Sequence, residues 1–108
     1  MGKSKKGVFR NVKSIILREH EYSILWRDRG IVADKEKVFG TCDPPFKRNK
    51  KIKIDTSVEE DEMLDTIIHE ALHACYWDLD EMAVSEAADS LAQLLWDCGY
   101  RRIENPVD

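Results

Sequence analysis

The chain has 108 residues, enough for one domain whose folding buries roughly two thirds of its unfolded surface. Charged residues make up 35 %, and no apolar run approaches the ~20 residues that cross a bilayer, which excludes a helical membrane protein. The net charge of −4 conceals a division: residues 1–53 hold 15 Lys and Arg against 6 Asp and Glu, and residues 54–108 hold 2 against 15. Such asymmetry suits either a nucleic-acid surface or a basic sheet lying beside acidic helices in one domain, and the second is favoured. The basic half lacks the interleaved aromatics of a single-strand binder.

Residues 1–11 form a basic tail with no apolar stretch of the kind that marks a signal peptide, so a cytoplasmic address and a disordered tail are expected. Residues 12–108 form the single domain. Val12 to Leu17 and Tyr22 to Trp26 are rich in β-branched and aromatic residues and read as a hairpin across Arg18-Glu19-His20-Glu21. Asp28-Arg29-Gly30 reads as a turn. A short strand begins at Val38-Phe39 and stops before Pro44-Pro45, which cannot join a ladder. Lys51-Ile52-Lys53-Ile54-Asp55 alternates and predicts a strand with one buried face.

The period then changes. Ser57 and Glu60 have capping-box spacing, and Leu64, Ile67, Ile68, Ala71, Leu72 and Cys75 recur at helical intervals. Asp78 and Glu81 repeat the capping pattern before a second stripe of Val84, Ala87, Ala88, Leu91, Leu94, Leu95 and Cys98, and Gly99 is a natural stop. The fold class is therefore α+β, a small antiparallel sheet of three to four strands followed by a helical hairpin. Cys42, Cys75 and Cys98 are an odd number without a CxxC pair, so disulfides are not expected, and the last two belong to apolar stripes.

The first helix contains His69-Glu70-Ala71-Leu72-His73, an HExxH motif. Histidines at i and i+4 share a helix face and can both reach one Zn2+ ion, and the intervening glutamate then lies where a general base is needed. Glu70 is the candidate catalytic residue, and His69 and His73 the candidate ligands. A catalytic zinc wants a third protein ligand. In a hairpin turning near Leu79, residues about as far beyond the turn as His73 lies before it are Ser85 and Glu86. A helical wheel places Glu86 roughly 140° and Asp89 roughly 160° from their own apolar stripe, on the histidines' side, with Glu81 at roughly 80°. Glu86 is the preferred third ligand, with Asp89 and Glu81 as alternatives.

The stretch IIHEALHACYWDLDEMAVSEAADSLAQLLWDCGYRR, preceded by GTCDPPFKRNKKIKID, resembles small HExxH zinc metallopeptidase-like proteins of phages and prophages, reduced gluzincin-type relatives of SprT-like and ImmA-like peptidases. The resemblance runs from about Val12 to Arg102. It implies a minimal zincin fold with an edge strand bordering the cleft, His69 and His73 as ligands, Glu70 as base, a glutamate ligand from the second helix, and the host cytoplasm as location. Related peptidases carry E-x-x-A-D in that helix, whereas here Ser85 stands at the glutamate position and Glu86 follows it.

Together these readings predict a zinc-dependent peptidase acting on a protein or peptide, which would pair with the strand near Val38 to Cys42. The alternative is a zinc-stabilised, non-catalytic module that contacts nucleic acid or an acidic protein through its basic half. Tyr76 is close enough to the motif to be weighed as an oxyanion donor, although packing is favoured. His20 is expected in a loop, and Trp26, Trp77 and Trp96 in packing.

Overall fold

Residues 12–102 are described by the computed structural model; the expected tail over 1–11 and the C-terminal residues from 103 lie outside them. Strand β1 (Ser14–Leu17) turns into β2 (His20–Arg27) through Arg18 and Glu19 alone, both at positive φ (50° and 78°). Two successive left-handed residues give a turn whose twist matches that of paired strands. The register Leu17↔His20 to Ser14↔Ser23 therefore places His20 inside β2 rather than in a loop. Along β2, Tyr22, Ile24 and Trp26 alternate toward the helices, and Tyr22 is fully buried with its hydroxyl donating to the Asp43 carbonyl at 3.0 Å.

A second hairpin joins β3 (Ile31–Ala33) to β4 (Glu36–Val38), again through two positive-φ residues, Asp34 and Lys35. These strands are three residues each, too short to show alternation in the sequence, and they form a separate two-stranded sheet. After Phe39 the chain enters β5 (Gly40–Cys42), rounds the proline loop and returns as β6 (Lys51–Asp55). Asp43 shapes that return, its carboxylate accepting from the Lys51 amide at 2.9 Å.

The main sheet has the order β1-β2-β6-β5. It is mixed, not antiparallel as the sequence suggests, because β6 lies parallel to β2 (Ser23↔Lys51 to Arg27↔Asp55) and antiparallel to β5 (Gly40↔Ile54). The cause is the intervening segment: one hairpin and one edge strand bring the chain back to run in the direction of β2. β6 takes an inner position, where Ile52 and Ile54 are buried against α1.

Helix α1 (Glu60–Cys75) packs on this sheet, and helix α2 (Glu81–Asp97) packs on α1. The expected Ser57 cap does not form. Its hydroxyl donates instead to Asp55 at 2.6 Å, and Glu59 occupies the cap position without a side-chain bond. Glu60, Asp61 and Glu62 complement the positive end of the helix. At α2, Asp80 rather than Asp78 is the cap, accepting from the Ala83 amide at 2.7 Å. The helix ends as expected at Gly99 (φ 95°), with Gly99 N–H to Trp96 carbonyl and Tyr100 N–H to Leu95 carbonyl forming a Schellman pair.

The core is Tyr22, Ile52, Ile54, Met63 and Ala74. Val84, Ala88 and Ala92 are the buried residues of α2, so Leu91, Leu94 and Cys98, expected in its stripe, are exposed. Small side chains at an i, i+4, i+8 spacing let two helices approach closely, and that governs the seam more than the count of leucines. No helix among the described residues is long and apolar enough to cross a membrane.

Candidate metal centre

The buried line of α1 is Met63, Thr66, Glu70 and Ala74, rotated away from the stripe through Leu64, Ile68 and Leu72. Strand β5 is responsible. It rests on this face at Gly40, where a Cβ would lie 2.7 Å from Thr66 Cγ2 and 3.0 Å from Glu70 Cγ. Only a glycine lets strand and helix approach so closely. Glu70 is consequently 7 % exposed, and its carboxylate has no hydrogen bond or ion pair among the described residues. Burial, reinforced by the charge of Glu81, pushes its pKa up to about 7.

His69 and His73 stand one helical turn apart beside Glu70, their side chains only 21 % and 18 % exposed. Their Nε2 atoms are 3.2 Å apart. Glu81 spans both, with Oε2 3.0 Å from His69 Nε2 and Oε1 2.9 Å from His73 Nε2. The Ser85 hydroxyl donates to Glu81 Oε2 at 3.1 Å and steadies the carboxylate. Atoms of His69, His73 and Glu81 all lie within 4.8 Å of one another, and this group could hold a metal ion. The spacings suit it: donors at ~2.0–2.1 Å from a tetrahedral ion are about 3.3 Å apart. Two imidazole nitrogens and a carboxylate facing one another are a donor set of the kind that holds a metal ion.

The preferred third ligand from sequence, Glu86, is exposed and outside this group; Glu81, one of its alternatives, is inside it. The difference lies in the seam. Glu81 is three residues ahead of Val84, on the line continued by Ala88 and Ala92, whereas Glu86 is roughly 160° around the helix from that line. Measuring from the leucine-rich stripe misplaced both. The connection from Tyr76 to Asp80 is also short enough that the first residue of α2 stands level with the histidines, and a glutamate side chain reaches both. The small residues Ala88 and Ala92 were the signal that could have found it.

Asp89, the other alternative, is exposed. It lies beside Asp65 of α1, whose carboxyl is pushed up to about 7 by burial first, then by Asp89 and the charge of Glu62. These groups line a cavity of about 350 Å3 that also includes His69, Glu70 and Glu81, with Val38, Phe39 and Gly40 on its strand side. Tyr76 lies off this cavity, half exposed beneath the Arg18 guanidinium at 4.7 Å. Trp77 stacks edge-on against His73 at 6.1 Å, Trp26 donates to the Val12 carbonyl, and Trp96 lies under Arg101. Burial pushes the Cys42 thiol up to about 12, so it is no nucleophile.

Among the described residues no Lys or Arg of the sheet forms an ion pair with a helix carboxylate. The pairs are Arg29 with Asp28, Lys47 with Asp43, and the two histidines with Glu81. Among the described residues the basic and acidic halves lie in one domain without direct charge pairing. Compared with known proteins, the chain matches no family model, no curated protein and no solved structure.

Proposed function

We propose that this protein is a zinc-dependent metallopeptidase of minimal HExxH type. One observation carries the reading: His69, His73 and Glu81 converge beside Glu70, a buried carboxylate with no partner among the described residues. Two imidazoles and one carboxylate are the protein ligands of a catalytic zinc that keeps its fourth position open, whereas a structural zinc closes it with Cys or His. When bound, zinc supplies Lewis acidity toward a scissile carbonyl and activates water at neutral pH. Glu70, held beside that group by the close approach of β5 to α1, would take the proton of the attacking water and pass it to the departing amine. Gly40–Cys42 forms the sheet edge at the cavity, where an extended peptide can add as a further strand.

The test is Glu70→Gln. It keeps the metal ligands and removes the base, so zinc content stays near one per chain while cleavage of an unstructured protein such as casein falls by about 10²-fold or more. Absence of zinc after reconstitution, or equal cleavage by the variant, refutes the reading. The unpaired cations of the sheet favour, as second reading, a zinc-stapled binding module for nucleic acid. Salt-sensitive binding that survives Glu70→Gln, without cleavage, identifies it.

A further inference from the structure

The helix wall of the cavity carries Glu62, Asp65 and Asp89, and the strand wall facing it is apolar, with Val38 and the half-exposed Phe39. We infer that this cavity is a substrate subsite for a cationic side chain, Lys or Arg, adjacent to the bond that is cleaved. The inference rests on the peptidase reading and names the substrate class of that same site.

Four observations support it. The cavity is continuous with the metal group, since His69, Glu70 and Glu81 line it together with the acidic wall. Glu70, a residue more than nine-tenths buried, lies in its lining with a carboxylate that has no partner among the described residues, which marks the space as built to receive a group not supplied by the chain. Glu62, Asp65 and Asp89 have no cationic partner among the described residues, although the sheet of the same domain is rich in Lys and Arg. Finally, His69, His73 and Glu81 are the only group among the described residues whose ligand atoms close on a common point. The acidic wall is too dispersed for a compact metal ion. It suits an extended organic cation, whose methylene stem packs on Val38 and Phe39 while its head reaches the carboxylates. A guanidinium can bond two carboxylate oxygens at once, so Arg is preferred over Lys.

The experiment uses zinc-loaded Glu70→Gln protein, which binds without cutting, and fluorescein-labelled decapeptides of mixed Ala, Ser and Val with one Arg, Lys, Gln or Glu moved through successive positions. Anisotropy should show Arg at one or two positions binding at least tenfold tighter than Gln there, with Glu weakest. Asp65→Asn/Asp89→Asn should abolish that ratio while zinc content stays as in the parent and unfolding keeps a single cooperative transition. Equal binding of Arg and Gln peptides at every position, or a ratio untouched by the double variant, overturns the inference. The peptidase reading is judged separately, by whether wild type cuts any peptide of the set. Its failure leaves the binding ratio measurable, and its success does not supply one.

Discussion

At the scale of single residues, Glu81 and Glu86 are both exposed glutamates on α2, and they differ in angle to the seam and in position along the helix. Elemental analysis should find about one zinc per chain in wild type and in Glu86→Ala, and sharply less in Glu81→Ala and His73→Ala. Equal loss from Glu86→Ala would place the ligand set elsewhere. Asp65 makes a second prediction. Its folded pKa is raised from the ordinary 3.8 to about 7, so the protonated form is the one the fold favours. Its stabilising contribution is complete below pH 4 and disappears as pH rises through 7. Metal-free protein should therefore lose urea resistance between pH 4.5 and 8. Asp65→Asn, which keeps the shape of the side chain without its charge, should flatten the part of that slope due to Asp65. A wild-type slope equal to that of the variant would show that Asp65 does not titrate in this range.

At the scale of elements, the edge strand β5 is short but decides which face of α1 is buried. Gly40 is the contact point, and a methyl there must displace Thr66, Glu70 or the Lys53 carbonyl. Gly40→Ala should cost about 1–3 kcal/mol by overpacking, read as a lowered urea midpoint, and should loosen zinc binding because Glu70 and its neighbours shift. Full stability in this variant would show that strand and helix are not in contact at that point. Elements with long, regular signals were legible beforehand: β6 runs Lys51–Asp55 as its alternation predicts, and Gly99 ends α2 where glycine chemistry places it. Elements of three residues, β3 and β4, carry no period and emerge only from pairing with each other.

At the scale of the whole molecule, the core is thin, and a metal ion held by His69, His73 and Glu81 would add to the stability of the fold. Binding confined to the native state stabilises by about 4 kcal/mol when the ligand is at a thousand times its dissociation constant. In a domain of this size about 1 kcal/mol corresponds to several degrees of melting temperature. Chelation should thus lower Tm by about 10 °C or more in wild type and have little effect on His73→Ala. An unchanged Tm after chelation would remove metal from the account of both stability and function.

His69, Glu70 and His73 were readable in the sequence because the i, i+4 relation is local: any α-helix puts these side chains on neighbouring positions whatever surrounds it. The α+β layout was readable for the same reason, from periods of two and of three to four. The parallel pairing of β2 with β6 was not, since it depends on the path of residues 28–50 through space. Nor was the identity of the third group, because the angle of Glu81 toward the histidines is set by which line of α2 meets α1. That line is chosen by Val84, Ala88 and Ala92 against a helix already turned by β5. Local spacing determined the motif, and long-range packing decided what completes it.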